Sequence, residues 1–151
     1  MKPGEWARAV ANVVNLSTPL GLVIAAIGRS RLTLRGGGIV LAEGYRLSFP
    51  VAGAFTVGNV VLVPGRTMAE IEAINPDVLA HEDAHAWQYS YCLGLPFLPA
   101  YAVAMGWSWL RTGDRAAANV FEVQADLAKG GYTDYPKRRL REGFSALLKR
   151  P

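Results

Sequence analysis

The residues best suited to do chemistry in this chain are His81, Glu82 and His85, in the run His81-Glu82-Asp83-Ala84-His85. On a helix, side chains four apart project from one face about one turn from each other, so both imidazoles can reach a single metal ion. Glu82 leans toward the same ion without having to bind it, and a carboxylate there can take a proton from water on the metal. The pattern H-E-x-x-H thus predicts a zinc site of the hydrolytic kind, with Glu82 as general base. Accident explains it poorly. The chain holds 2 His, both in the motif, and random scatter of two His and seven Glu gives this arrangement roughly once in a thousand trials, a figure that weighs only the pattern.

A catalytic zinc takes three protein ligands and keeps a further position open. No third His remains. Cys92, the single cysteine, lies seven residues beyond His85, about 10 Å along a continuing helix, and reads as a small buried hydrophobe. The favoured third ligand is Glu122, on a second predicted helix, with Asp126 one turn further along the same face, where its carboxylate can orient a ligating imidazole. Asp114, on a predicted loop, is the competitor. The same two acids would also suit an ordinary solvated helix face, and the need for a third ligand argues against that reading.

The elements around these residues follow from local pattern. Residues 9–28 carry no charge, and Asn12, Asn15, Ser17, Thr18 and Pro19 split them into two short helices packed on the core. The length would just span a bilayer, but its start lacks a convincing charged n-region and a small-residue cleavage site before Arg29. Alternation at 31–35, glycines at 36–38 and an apolar run at 39–42 predict a β-hairpin. A third strand is expected at 45–49, stopping at Pro50, and another β-rich run at 54–63 around Gly58-Asn59, a turn or bulge. A loop or short helix fills 64–77. The metal helix begins after it, with Asn75 as cap, Pro76 in the first turn and Asp77 at the positive helix end, and it ends near Gly94. The uncharged stretch 93–110 predicts a loop leading into a short buried helix, because Pro96 and Pro99 open it and Gly106 interrupts it. A further helix is expected over 116–129, ending at Gly130-Gly131.

At 151 residues the chain is expected to form one domain, 1–151, with apolar helices over 1–30. A hydrophobic fraction of 51% with 19% charge excludes disorder over most of the length. The net charge of +4 is concentrated at the C-terminus, so no nucleic-acid partner is expected. One cysteine permits no internal disulfide and suits a reducing, cytoplasmic setting. Residues 135–151 hold Lys137, Arg138, Arg139, Arg141, Lys149 and Arg150 against Glu142, with Leu140, Phe144, Leu147 and Leu148 at helical spacing. This basic helix is expected to dock its apolar stripe and leave its charges in water. Peripheral membrane contact through 9–28 or 135–151 is the alternative.

The motif His81-Glu82-x-x-His85, followed after 36 intervening residues by Glu122-x-x-Ala125-Asp126, resembles the gluzincin class of zinc metallopeptidases. The resemblance implies Glu122 as third ligand and Asp126 as the support of a ligating His. Phe121 departs from the Asn that precedes this Glu in thermolysin-like members, so the match is to the wider class. A closer resemblance covers 54–126, roughly half the chain: A-F-T-V-G-N, L-A-H-E-x-x-H-x-x-Q and F-E-x-x-A-D are similar to the small bacterial metallopeptidase-like domain of predicted toxins and extracellular contractile injection system core proteins. Several such relatives share the run seen here as Gly94-Leu95-Pro96-Phe97-Leu98-Pro99-Ala100-Tyr101. What the resemblance implies is an α+β, zincin-like single domain with a small sheet, an active-site helix and a ligand-bearing helix, holding Zn2+ and cleaving peptide bonds. Gluzincins also steady the oxyanion with a His or Tyr; with no His left, Tyr101, Tyr89 or Tyr132 would serve. The alternatives are a non-catalytic zinc-binding interaction domain and a membrane-surface partner protein.

Overall fold

Val60, Val61, Leu62 and Val63 are each 0% exposed and form the middle of a sheet covered on both faces, a setting that favours continuous β-branched and aliphatic runs over alternation. A computed structural model describes residues 1–50 and 52–148. In chain order its elements are α1 (Pro3–Val14), α2 (Ser17–Ile27), β1 (Arg31–Leu34), a 3-10 turn (Gly36–Gly38), β2 (Val40–Tyr45), β3 (Phe55–Val57), β4 (Val60–Pro64), α3 (Met68–Glu72), α4 (Val78–Tyr91), α5 (Phe97–Thr112), α6 (Val120–Gln124) and α7 (Leu140–Leu148). The expected α+β class is what forms. The strand order is β1-β2-β4-β3, with the β2/β4 pair parallel and the outer pairs antiparallel.

Register assigns each strand residue to a face. Leu41 pairs with Val61, and this face packs with Val63, Met68, Ile71, Val78 and Ala86 under α3 and α4. Ala42 pairs with Leu62, and that face packs with Ala25, Leu20 and Ile24 of α2. Thr56 of the edge strand β3 pairs with Val61. It therefore points to the α4 side.

The expected hairpin over 31–42 is present as β1 and β2. The run 54–63 is a second hairpin, with its turn at Gly58-Asn59: Gly58 has φ +64 and its absent Cβ would lie 2.3 Å from the Thr18 nitrogen, so no side chain fits there. The strand expected at 45–49 does not form. β2 already has β1 on one side and β4 on the other, and the chain turns away after Tyr45 with the Arg46 N–H donated to the Gly28 carbonyl.

Residues 9–28 are two short helices, as expected, but only α2 packs through apolar side chains. α1 turns its polar side inward. Asn12 donates to Asn59 Oδ1 at 2.9 Å and to the Ala86 carbonyl at 2.8 Å. Buried Arg8 meets Asp83 Oδ1 at 2.5 Å and the Gly37 carbonyl at 2.7 Å, and lies over the Trp87 ring. These bonds hold α4 from the side away from its histidines. Among the described residues no single helix is long and apolar enough to cross a membrane; α1 and α2 together have the length and composition, but meet at 71°.

Three further expectations are corrected. α5 is one 16-residue helix, because Pro96 and Pro99 fall at its cap and in its first turn, where backbone N–H groups need no partner. It buries only Phe97 and Ser108 fully and exposes Val103 and Trp107, so it is not a buried helix. The helix expected over 116–129 shortens to α6: Asn119 caps it by accepting from the Phe121 N–H, and Asp126 takes a left-handed conformation, φ +71, that ends it. The basic helix α7 does not dock an apolar stripe, since Leu140, Phe144 and Leu148 are exposed. It meets α5 at Gly143, where a Cβ would lie 2.1 Å from the Leu110 carbonyl oxygen, and the preceding Arg138 donates to the carbonyls of Leu110 and Trp109. Lys149, Arg150 and Pro151 of that tail, and the side chain of Leu147, lie outside the described residues.

Candidate metal centre

α4 starts at Val78, just after Asp77, so Asn75 does not cap it and Pro76 precedes its first turn. The Asn75 amide instead donates to the Lys129 carbonyl at 2.6 Å, tying the start of α4 to the segment after α6. One turn apart on the inner face, His81 and His85 are buried, as is Glu122 from the middle of α6. One donor atom from each of the three falls within 4.8 Å of the others.

Hydrogen bonds set which ring nitrogens face the centre. His81 Nδ1 donates to the carbonyls of Ala125 and Asp126, each at 3.1 Å, and His85 Nδ1 donates to Gln88 Oε1 at 2.8 Å. Both protons are thereby spent at Nδ1, leaving both Nε2 lone pairs pointing inward. The two Nε2 atoms are 3.1 Å apart, and Glu122 Oε2 lies 3.1 Å from that of His81 and 3.6 Å from that of His85. Despite that proximity Glu122 Oε2 has no hydrogen bond of acceptable geometry and is buried. Three converging electron pairs in a dry site need a positive charge between them. Two imidazoles and a carboxylate are a fitting donor set for a divalent metal ion.

The titration behaviour has the same origin. Burial is the largest influence and lowers both histidines, but the pull of the Glu122 and Glu82 carboxylates on a protonated ring, taken together, outweighs it and holds each above its ordinary range. Burial is the largest influence and would raise Glu122, but the attraction of the two facing rings, together with the Tyr101 hydroxyl bond, outweighs it and holds the carboxyl well below the ordinary range.

Glu82 is buried on the neighbouring face and accepts from Thr56 Oγ1 at 2.7 Å. Burial pushes its carboxyl up, against the pull of the His85 and His81 charges and the Thr56 bond. Its partner comes from the edge strand, so β3 and the general-base candidate are mechanically joined.

Of the expected accessory residues, Asp126 supports His81 through its backbone carbonyl instead of its carboxylate. The left-handed turn at Asp126 carries its side chain away, to the Ala128 N–H at 3.1 Å and to Lys129 at 3.6 Å. Tyr101 donates its hydroxyl to Glu122 Oε1; burial and the Glu122 charge raise its pKa. Tyr132 sets its ring 5.8 Å from that of His81, and its hydroxyl is pushed up to about 12 by burial and the Glu122 charge. Tyr89 belongs to the core, 1% exposed, with its ring 4.4 Å from that of Phe97. Asp114 is occupied elsewhere, its Oδ1 accepting from the N–H groups of Ala116 and Ala117. Cys92 packs against the core cluster on the α2 side.

Three contributors were not assigned from sequence. Gln88 holds His85 and donates to the Phe121 carbonyl at 2.8 Å, bracing α4 against α6; its place three residues after His85 on the same face was the available signal. Gly130 leaves room for the His81 ring, since a Cβ there would lie 2.6 Å from Cε1. Thr56 is a strand residue whose relation to Glu82 exists only in three dimensions.

Compared with protein-family models, with curated proteins and with solved structures, the chain matches none.

Proposed function

We propose that this chain is a zinc-dependent peptidase of the gluzincin type on a zincin-like fold. The observation that carries the reading is the convergence of two imidazole Nε2 atoms on an otherwise unbonded, buried Glu122 Oε2, with the Thr56-held Glu82 beside them. His81, His85 and Glu122 would hold the zinc, which when bound supplies Lewis acidity and lowers the pKa of water. Glu82 takes the proton from the attacking water and returns it to the leaving amine. An extended peptide pairs with the outer edge of β3, the terminal strand of the sheet, and so runs past Glu82. Tyr132, beside His81, steadies the oxyanion, while Tyr101 holds Glu122.

The burial of all three ligand side chains favours a second reading, a structural zinc that fastens α4 to α6. One experiment separates them: cleavage of casein or a peptide library by zinc-loaded protein beside a Glu82→Gln variant of equal zinc content. The peptidase reading expects turnover in the parent and a loss of about two to four orders of magnitude in the variant. Equal, negligible rates in both would leave the structural reading.

A further inference from the structure

β2 and β4 run parallel and end together, Tyr45 opposite Pro64. The residues that follow each strand therefore emerge side by side, Arg46 after one and Arg66 after the other. β1 is antiparallel to β2, so its first residue, Arg31, opposite Glu43, lies at that same end. The Arg46 N–H is bonded to the Gly28 carbonyl at 3.0 Å, which brings in Arg29 from the end of α2. The Gly44 N–H is bonded to the Arg66 carbonyl at 3.0 Å, which locks the two strand exits together. Four arginines from three chain segments thus line one cavity of about 320 Å³.

The cavity also holds two acids, and both are committed. Glu43 Oε1 accepts from the Met68 N–H at 2.7 Å, and Glu70 Oε2 accepts from the Thr67 N–H at 2.7 Å and the Thr67 hydroxyl at 2.8 Å. Among the described residues none of the four guanidinium groups takes part in an ion pair or a side-chain hydrogen bond. Elsewhere the protein does pair such groups, as with Arg8–Asp83 and Arg35–Glu72. The Arg66 charge acts on Glu70 without closing an ion pair, and four arginines against two acids leave the cavity net positive, a balance that a multiply charged anion would neutralise. The planar, forked guanidinium donors match the oxygens of phosphate.

We propose that this arginine-lined cavity is a binding site for a phosphate-bearing anion, either a soluble di- or polyphosphate or the headgroup of a phosphate-monoester lipid. It shares no residue with the metal centre, and it stands whether or not that centre turns over.

Isothermal titration of the full chain with inorganic pyrophosphate at low salt tests it. The expected result is saturable binding to one site, weakened about tenfold or more in the Arg46→Gln/Arg66→Gln variant as charge-assisted bonds are lost, and changed little by Arg139→Gln/Arg141→Gln, which removes the same charge around the start of α7. The pair Arg29→Gln/Arg31→Gln gives an independent check should the first variant misfold by circular dichroism. Sedimentation with phosphatidylcholine vesicles containing phosphatidic acid identifies the source. Cosedimentation that pyrophosphate competes away, and that the Arg46/Arg66 variant loses, indicates the lipid; binding of free pyrophosphate alone indicates a soluble ligand. The proposal is overturned if neither probe binds, or if the cavity and α7 variants lose binding equally, because net charge alone would then be read.

Discussion

Gln88 is the residue through which the metal-centre geometry can be tested most sharply. Its Oε1 accepts from His85 Nδ1 at 2.8 Å and its amide nitrogen donates to the Phe121 carbonyl at 2.8 Å, so one side chain orients a ligand and braces the helix carrying another. Gln88→Met keeps the volume and removes both bonds. Losing the partner that orients a ligating imidazole typically costs ten- to a hundredfold in metal affinity, which converts to about 1.4–2.8 kcal/mol. The metal-free protein also suffers, because a buried imidazole N–H and a carbonyl are left unpaired, at about 1–3 kcal/mol each. Gln88→Glu separates the two effects: a carboxylate still accepts from His85 but cannot donate to Phe121. Zinc competition against a chromogenic chelator, with urea melts of the metal-free proteins, reads both quantities. The methionine variant is expected to lose affinity and stability, and the glutamate variant to lose stability while retaining most of its affinity. Should Gln88→Met bind zinc as tightly as the parent, the orientation of His85 by Gln88 is not what prepares the site, and the tautomer argument fails.

Other perturbations have defined outcomes. Gly130→Ala places a Cβ 2.6 Å from His81 Cε1; overpacking of about 1–3 kcal/mol is expected, together with zinc content well below one equivalent by elemental analysis. Asp83→Ala strands the Arg8 charge, whose side chain is 0% exposed, whereas Arg8→Met strands a carboxylate that is 39% exposed and can be hydrated. Urea denaturation should therefore show the larger loss for Asp83→Ala, about 3–5 kcal/mol, and the reverse order would contradict the buried-cation account of α1. Thr56→Val removes the hydroxyl bonded to Glu82 at nearly constant shape and is expected to lower stability by about 1–2 kcal/mol. Under the peptidase reading it also lowers kcat more than it raises KM, and steady-state kinetics decides that. Gly94→Ala meets Asn15 at 2.4 Å in a backbone with φ +87, so its thermal midpoint should fall by several degrees.

Much of the candidate site was legible because the information is local. His81 and His85 share a helix face by spacing alone, and both sit where the 3.6-residue period puts them. Glu122 was reached by counting ligands, and the fold brings it to the same point. Asp126 was placed by assuming that α6 continued. Helix length there is decided by the Asn119 cap and by a left-handed residue, and the supporting group becomes a backbone carbonyl. α5 was mistaken in a related way, because a proline's effect depends on whether it falls inside a helix or in its first turn.

By itself, then, the sequence determined the repeating choices: which residues alternate, which recur every three or four, where glycine must stand, and which pair of imidazoles can face one ion. These are properties of neighbours along the chain, whose geometry is set by covalent connection and backbone hydrogen bonding. Only the tertiary structure decided that a buried Arg8 holds α4 from behind, that Thr56 on the edge strand holds Glu82, that Gln88 spans to Phe121, and that arginines from three separate chain segments meet at one end of the sheet. Each of those joins residues far apart along the chain. What selects them is the register of the parallel β2/β4 pair and the packing of helices on its two faces, neither of which has a local signature.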